Sequence, residues 1–177
     1  MIEPNRGPRR TLALLATWAF GAAWALTAAS VCAQQGPPEP LSAFPQSLLA
    51  IRTASGKVVN FKIWTADTPR RDAQGLMFVH EMDDHAGMLF LFPGDQRISM
   101  WMKNTYIPLD MLFVAGDGRI NTIVARTTPL SLDVISAPEP AHAVLELKGG
   151  VAEQMGIKAG DTLVHPSFGN TGNLGRR

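Results

Sequence analysis

Apolar residues recur at every second position through most of this chain, and that period constrains its fold more than any other feature. Val59, Phe61 and Ile63 alternate with Asn60 and Lys62, and Ile98, Met100 and Met102 alternate with Ser99, Trp101 and Lys103. Leu109, Met111 and Phe113 alternate around Asp110, and Ala143, Leu145 and Leu147 alternate with His142, Val144 and Glu146. A period of two sends one set of side chains to one face of an extended strand. Met88 to Phe92 is apolar at every position, which predicts a central strand covered on both faces. Turn residues separate these runs at Ser55-Gly56, Pro93-Gly94-Asp95 and Gly116-Asp117-Gly118, the first and last predicting hairpins. Two short helices interrupt the pattern. Thr68-Pro69 is an N-cap and N1 pair opening a helix to about Gln74, and Gly149 to Met155 is followed by Gly156 as a stop. Roughly seven or eight strands with two minor helices predict a mainly β fold, an antiparallel β-sandwich or barrel of jelly-roll-like form. Thr127 to Pro140 is a long connection with little periodicity, of the kind that is often functional or mobile.

The first ten residues carry Arg6, Arg9 and Arg10 against Glu3, and Thr11 to Ala29 is an uncharged apolar run. Val31-Cys32-Ala33 then precedes Gln34. A basic head, an apolar stretch and a small residue before the cut predict a signal peptide over 1–33, cleaved near Ala33 into the periplasm or medium. An uncleaved membrane anchor is the alternative, since the apolar run is just long enough to span a bilayer. Lipidation at Cys32 suits Val31 poorly, and Arg9-Arg10 leaves open the twin-arginine route beside the general one. Cleavage removes three of 16 basic residues and one of 15 acids, leaving 13 against 14 and a net charge of −1. No basic patch then argues for nucleic acid. The only cysteine, Cys32, goes as well, so the mature chain has no disulfide and no thiolate chemistry. Pro37, Pro38, Pro40 and Pro45 predict a linker over 34–45, and the Gly/Asn-rich residues 166–177 predict a disordered tail. Residues 46–165 are the expected single β-rich domain.

Several blocks together carry a resemblance: Gln74-Gly75-Leu76-Met77, Gly87-Met88-Leu89-Phe90, Met100 to Phe113, Leu145-Glu146-Leu147, and Gly156-Ile157 with Gly160-Asp161. In order and spacing the chain resembles the family of domain of unknown function 192, from about Ile51 to Val164. The resemblance implies a compact, mainly β domain of bacterial and archaeal proteins, often behind a signal peptide. The family has no agreed catalytic residues, so none carries over. In the family a basic residue closely follows the Gly-Leu-Met block, and here Val79-His80 stands in that region.

The segment from Met100 to Phe113 is also where chemistry would sit. It sets Lys103, Asn104, Thr105 and Asp110 between apolar runs, and burial of polar groups demands partners. These four residues read either as a turn with Asp110 paired to Lys103 or capping backbone N–H groups, or as a polar recognition site at the sheet edge. Asp110 and Glu146 are the acids set inside strong strand patterns, and a pair of carboxylates would suit acid–base chemistry. His80 and His85 flank Glu81, Asp83 and Asp84, but a spacing of five residues puts the two imidazoles on different faces of a helix or strand, so a solvated loop is expected there. Met100 and Met102 share a strand face and would suit Cu(I), although methionine is also a core-filling residue. No nucleophile elbow and no dinucleotide or phosphate loop is present in the sequence. The expectation is a non-catalytic ligand-binding or accessory module of the cell envelope, taking no cofactor or metal. Its partner is left open between a small molecule and an envelope protein. The alternatives are a small enzyme using Asp110 or Glu146, and a methionine-based copper-handling protein.

Overall fold

Alternating apolar residues put one face of each strand toward a core, and here the sheet curls around that face. The computed structural model describes residues 37–173. These lie in one unit that begins at Pro37. The expected signal peptide, the start of the linker and the last residues of the tail lie outside the described residues. Among the described residues there are nine strands: β1 (Gln46–Arg52), β2 (Val58–Ala66), β3 (Ala86–Gln96), β4 (Ser99–Met100), β5 (Leu109–Val114), β6 (Ile120–Val124), β7 (Ile135–Ser136), β8 (Ala141–Lys148) and β9 (Thr162–Val164). Two short helices, α1 (Pro69–Gln74) and α2 (Val151–Met155), complete a mainly β fold. Seven strands form one curled sheet in the order β6-β5-β8-β3-β2-β1-β9, a half-barrel, and β4 with β7 form a separate ribbon. The curl brings the two edges together. Arg119 bridges Thr162, the Leu163 N–H donates to the Gly118 carbonyl at 2.7 Å, and the Ile120 N–H donates to the Asp161 carbonyl at 2.8 Å.

Each face of the sheet has its own core. The inner face gathers Leu49, Phe61, Leu89, Leu112, Leu145 and Leu163, closed at one end by Val151 and Met155 of α2. The outer face carries Met88, Phe90, Met111, Phe113 and Val144, covered by Phe44, Leu76, Met82 and Met102 from the connections. β3 is thus apolar on both faces because both are covered.

One pairing departs from the antiparallel expectation. β2 and β3 run parallel, from Lys62 beside Ala86 to Ala66 beside Phe90. A parallel pair needs a crossover, and residues 67–85 supply one that contains α1 and lies over the outer face. The strand expected over 98–102 is also shorter than its pattern, reduced to Ser99–Met100 before the chain turns.

Residues on both sides of 46–165 make contacts with it. From Pro37 the linker is fastened down. Phe44 is 2% exposed, Glu39 meets Arg70 and Arg71 at 3.4 and 3.1 Å, and the Gln74 amide bonds the Glu39 backbone N–H and carbonyl, both at 2.7 Å. Residues just past 165 also pack on it. Pro166–Phe168 form a 3₁₀ turn, and Phe168 packs into the inner core. Phe44 and Phe168, one on each side of residues 46–165, are both buried.

Candidate functional site

Glu146 lies on β8 between β3 and β5, with Met88 and Met111 as its cross-strand neighbours. It shares the outer face with Val144, and only 4% of it is exposed. No described residue donates a hydrogen bond to its carboxyl group, and its residual exposure opens onto a cavity. Burial among methionines pushes the Glu146 carboxyl up to about 8, so it is neutral at physiological pH.

The cavity measures about 270 Å³. Residues 72–77 of the crossover form one wall, Phe90 and Phe92 of β3 a second, and Ser99 to Thr105 a third. Glu146 is the fully buried ionisable group of this lining, which otherwise carries Asp72 and Lys103. Burial, then repulsion from Asp67, raises the Asp72 carboxyl above its ordinary value. The Lys103 ammonium lies 5.3 Å from the centre of the Trp101 ring, and Trp101 is half exposed. Gly75 has φ +50°, and a Cβ there would come within 3.0 Å of the Phe90 ring, so the wall closes only around a glycine. Phe78 and Asn104 also hold positive φ angles, +66° and +55°. The Phe78 N–H donates to the Asn104 carbonyl at 2.9 Å, tying two unfavourable backbone conformations together beside the cavity.

The expected site residues divide between the two faces. Lys103, Thr105 and Glu146 line the cavity, and Asn104 adjoins it with its amide 3.8 Å from the Met77 sulfur. The turn reading also holds locally, since the Thr105 N–H donates to the Met102 carbonyl at 3.1 Å. Asp110 is elsewhere. It is fully buried on the inner face and accepts hydrogen bonds of 2.8–2.9 Å from the backbone N–H groups of Arg126, Gly150 and Ala152. Lys103 is thus not its partner; backbone N–H groups are, supplied by Arg126 and the start of α2. An Asp110–Glu146 acid–base pair is ruled out by register: Met111, not Asp110, faces Glu146, so the two carboxyls point to opposite sides of the sheet.

The other candidates disperse. His80 stacks on Tyr106 with ring centres 4.6 Å apart, His85 Nδ1 sits 2.9 Å from the Asn60 carbonyl, and Asp84 pairs with Lys148 at 2.7 Å. Met100 lines the cavity, whereas the Met102 sulfur is buried and accepts a hydrogen bond from the Thr127 hydroxyl at 3.1 Å. Asp72, Trp101 and the aromatic wall were not singled out from sequence. A signal was nevertheless available. Gln74 to Met77, Phe90, Glu146, and Met100, Trp101, Lys103 and Thr105, which come from four separate blocks of the family resemblance, all meet at this cavity.

The model of one protein family, domain of unknown function 192, described as Uncharacterized ACR, matches residues 50–165. The chain is similar to a Sinorhizobium meliloti protein of known crystal structure, described as a candidate transcription regulator. The identity is 40%, with a TM-score of 0.69, and the match covers 70% of this chain and 96% of that one. It is also similar to a Novosphingobium aromaticivorans protein of unknown function. That match has 37% identity and a TM-score of 0.68, and covers 72% of this chain and 90% of the other. No curated protein matches.

Proposed function

The chain belongs to the family of domain of unknown function 192, and from that premise we propose that it is a small-molecule-binding module of the cell envelope whose ligand occupies the cavity over Glu146. The observation that carries this reading is the Glu146 carboxyl group in the cavity lining, buried and with no partner among the described residues. Its residual exposure faces the cavity, so a molecule there can reach it. A fold that needed only stability would place a leucine there. The left-handed backbone of Phe78 lies one residue beyond Met77 of the lining, a conformation unfavourable for a bulky side chain. The cavity is slightly smaller than the ~300–1,000 Å³ usual for drug-sized ligands, so its occupant is small.

The test is a thermal-shift screen of small molecules against the purified protein and against Ala73→Phe, which fills the cavity from an exposed position on α1. Hits on the wild type that vanish in the variant support the reading, because a ligand of the native state raises Tm by mass action. Hits that persist unchanged place binding elsewhere. Export rests on the basic head, apolar run and Ala33 cut in the sequence. N-terminal sequencing of periplasmic material should begin at Gln34, and retention of Met1 on a membrane-bound chain contradicts export.

One observation favours a second reading, a small enzyme. Asp72 and Glu146 line the same cavity, and a carboxyl neutral at pH 7 suits a general acid. In that case Glu146→Gln abolishes turnover while leaving substrate binding in place, and a variant with full turnover excludes the role.

A further inference from the structure

We propose that the ligand is a small organic cation, held with its ammonium group on Glu146 and its apolar body along Leu76, Phe90 and Met100. This rests on the binding reading above. The polar side chains of the lining are mostly committed already. The Gln74 amide is used by the Glu39 backbone, the Thr105 hydroxyl lies 3.3 Å from the Lys103 carbonyl, and the Lys103 ammonium sits over the Trp101 ring. Glu146 is the buried lining group left without a partner among the described residues, and a ligand ammonium would supply it with both donors and a counter-charge. Asp72 adds a second acid to the same lining. Once Glu146 gives up its proton, the lining sets two carboxyl groups against one ammonium that already has an aromatic face, so the ionised site favours a positive ligand over a negative one.

The rest of the lining says which kind of cation. A metal ion would require several hard ligands around it. Among the described residues no three His, Cys, Asp or Glu side chains are grouped to supply them. Aromatic and thioether surfaces are instead suited to the polarised C–H groups of an organic ammonium. Phe90, Phe92, Met77 and Met100 give such a surface beside one buried acid.

Binding has a proton signature. Glu146 is flanked by Met88 on β3 and Met111 on β5, neither of which titrates. The crossover contributes Asp72 and the 99–105 segment contributes Lys103. In the free protein at neutral pH the carboxyl carries its proton, and pairing with an ammonium expels that proton to solvent. Binding therefore releases roughly one proton at pH 7 and almost none above pH 9, and affinity strengthens as pH rises from 5 to 8.

Calorimetric titration of the whole protein with benzylammonium and with benzyl alcohol, in buffers of different ionisation enthalpy, tests this. The expected result is that the wild type prefers benzylammonium by at least about tenfold, with proton release at pH 7. Glu146→Gln, which is isosteric and keeps the cavity, should lose both the preference and the proton release while still binding the alcohol. Equal affinity for the two probes overturns the cation proposal but leaves the binding reading standing. Failure of the wild type to bind either probe contradicts both. A preference that survives Glu146→Gln and disappears in Asp72→Asn assigns the charge recognition to Asp72, and the proposal about Glu146 falls.

Discussion

Asp110 holds its carboxylate among three backbone N–H donors, whereas Glu146 presses its carboxyl against methionines with no donor from a described residue. The two residues should respond to mutation with opposite signs. Asp110→Ala leaves the N–H groups of Arg126, Gly150 and Ala152 facing an apolar interior, and should cost on the order of 2–4 kcal/mol in urea unfolding. Coincident curves for variant and wild type would show that Asp110 has no structural duty. Glu146→Gln should stabilise the protein at neutral pH. The Glu146 carboxyl is raised from 4.5 in the unfolded chain to about 8 in the fold, so the native state binds more protons between those values. Its contribution is fully present below about pH 4.5 and is lost as pH rises through 8. At pH 7 the variant should gain on the order of 3 kcal/mol over wild type, and at pH 4 almost nothing. A gain independent of pH would contradict this account. Asp110's need for partners was legible in its apolar surroundings, but their identity was not. Lys103 seemed near along the chain, whereas the donors that meet it come from residues 126, 150 and 152, brought in by strand pairing.

At the scale of elements, what was legible was local. Thr68 caps α1 and accepts from the Arg71 N–H at 3.3 Å, and Gly156 ends α2 in the left-handed conformation, as the capping residues predicted. The 55–56 and 116–118 turns both join antiparallel neighbours. The parallel β2–β3 pair was not legible, because long-range pairing leaves no mark on local periodicity. That pair matters most to the site, since its crossover forms a cavity wall. The seam between the sheet edges belongs to this scale too. At Gly118 (φ +89°) an added Cβ would lie 2.5 Å from the Leu163 carbonyl oxygen. Gly118→Ala should therefore cost on the order of 2–4 kcal/mol by prising β9 from the 118–120 turn. Hydrogen exchange should show the loss first at the Leu163 and Ile120 amides. Unchanged protection there would mean that the seam does not close the sheet.

Over the whole molecule, the alternation of β8 was read as one apolar face and one polar face, with Glu146 on the polar side. The pattern was right, but the burial it implied was not. The outer face is covered by connections that have no strand period of their own, including Leu76, Met82 and Met102. A strand pattern reports what faces the inner core and is silent about a second layer made of loops. That silence hid both the depth of Glu146 and the cavity above it. The account therefore turns on whether this one carboxyl is neutral in the folded protein at physiological pH. A carbon-13 NMR titration of the Glu146 side-chain carboxyl measures that directly. The predicted midpoint is about 8, set by burial without a partner. A midpoint near the ordinary glutamate value of about 4.3 would mean a solvated or paired carboxylate, and would remove the basis for the site.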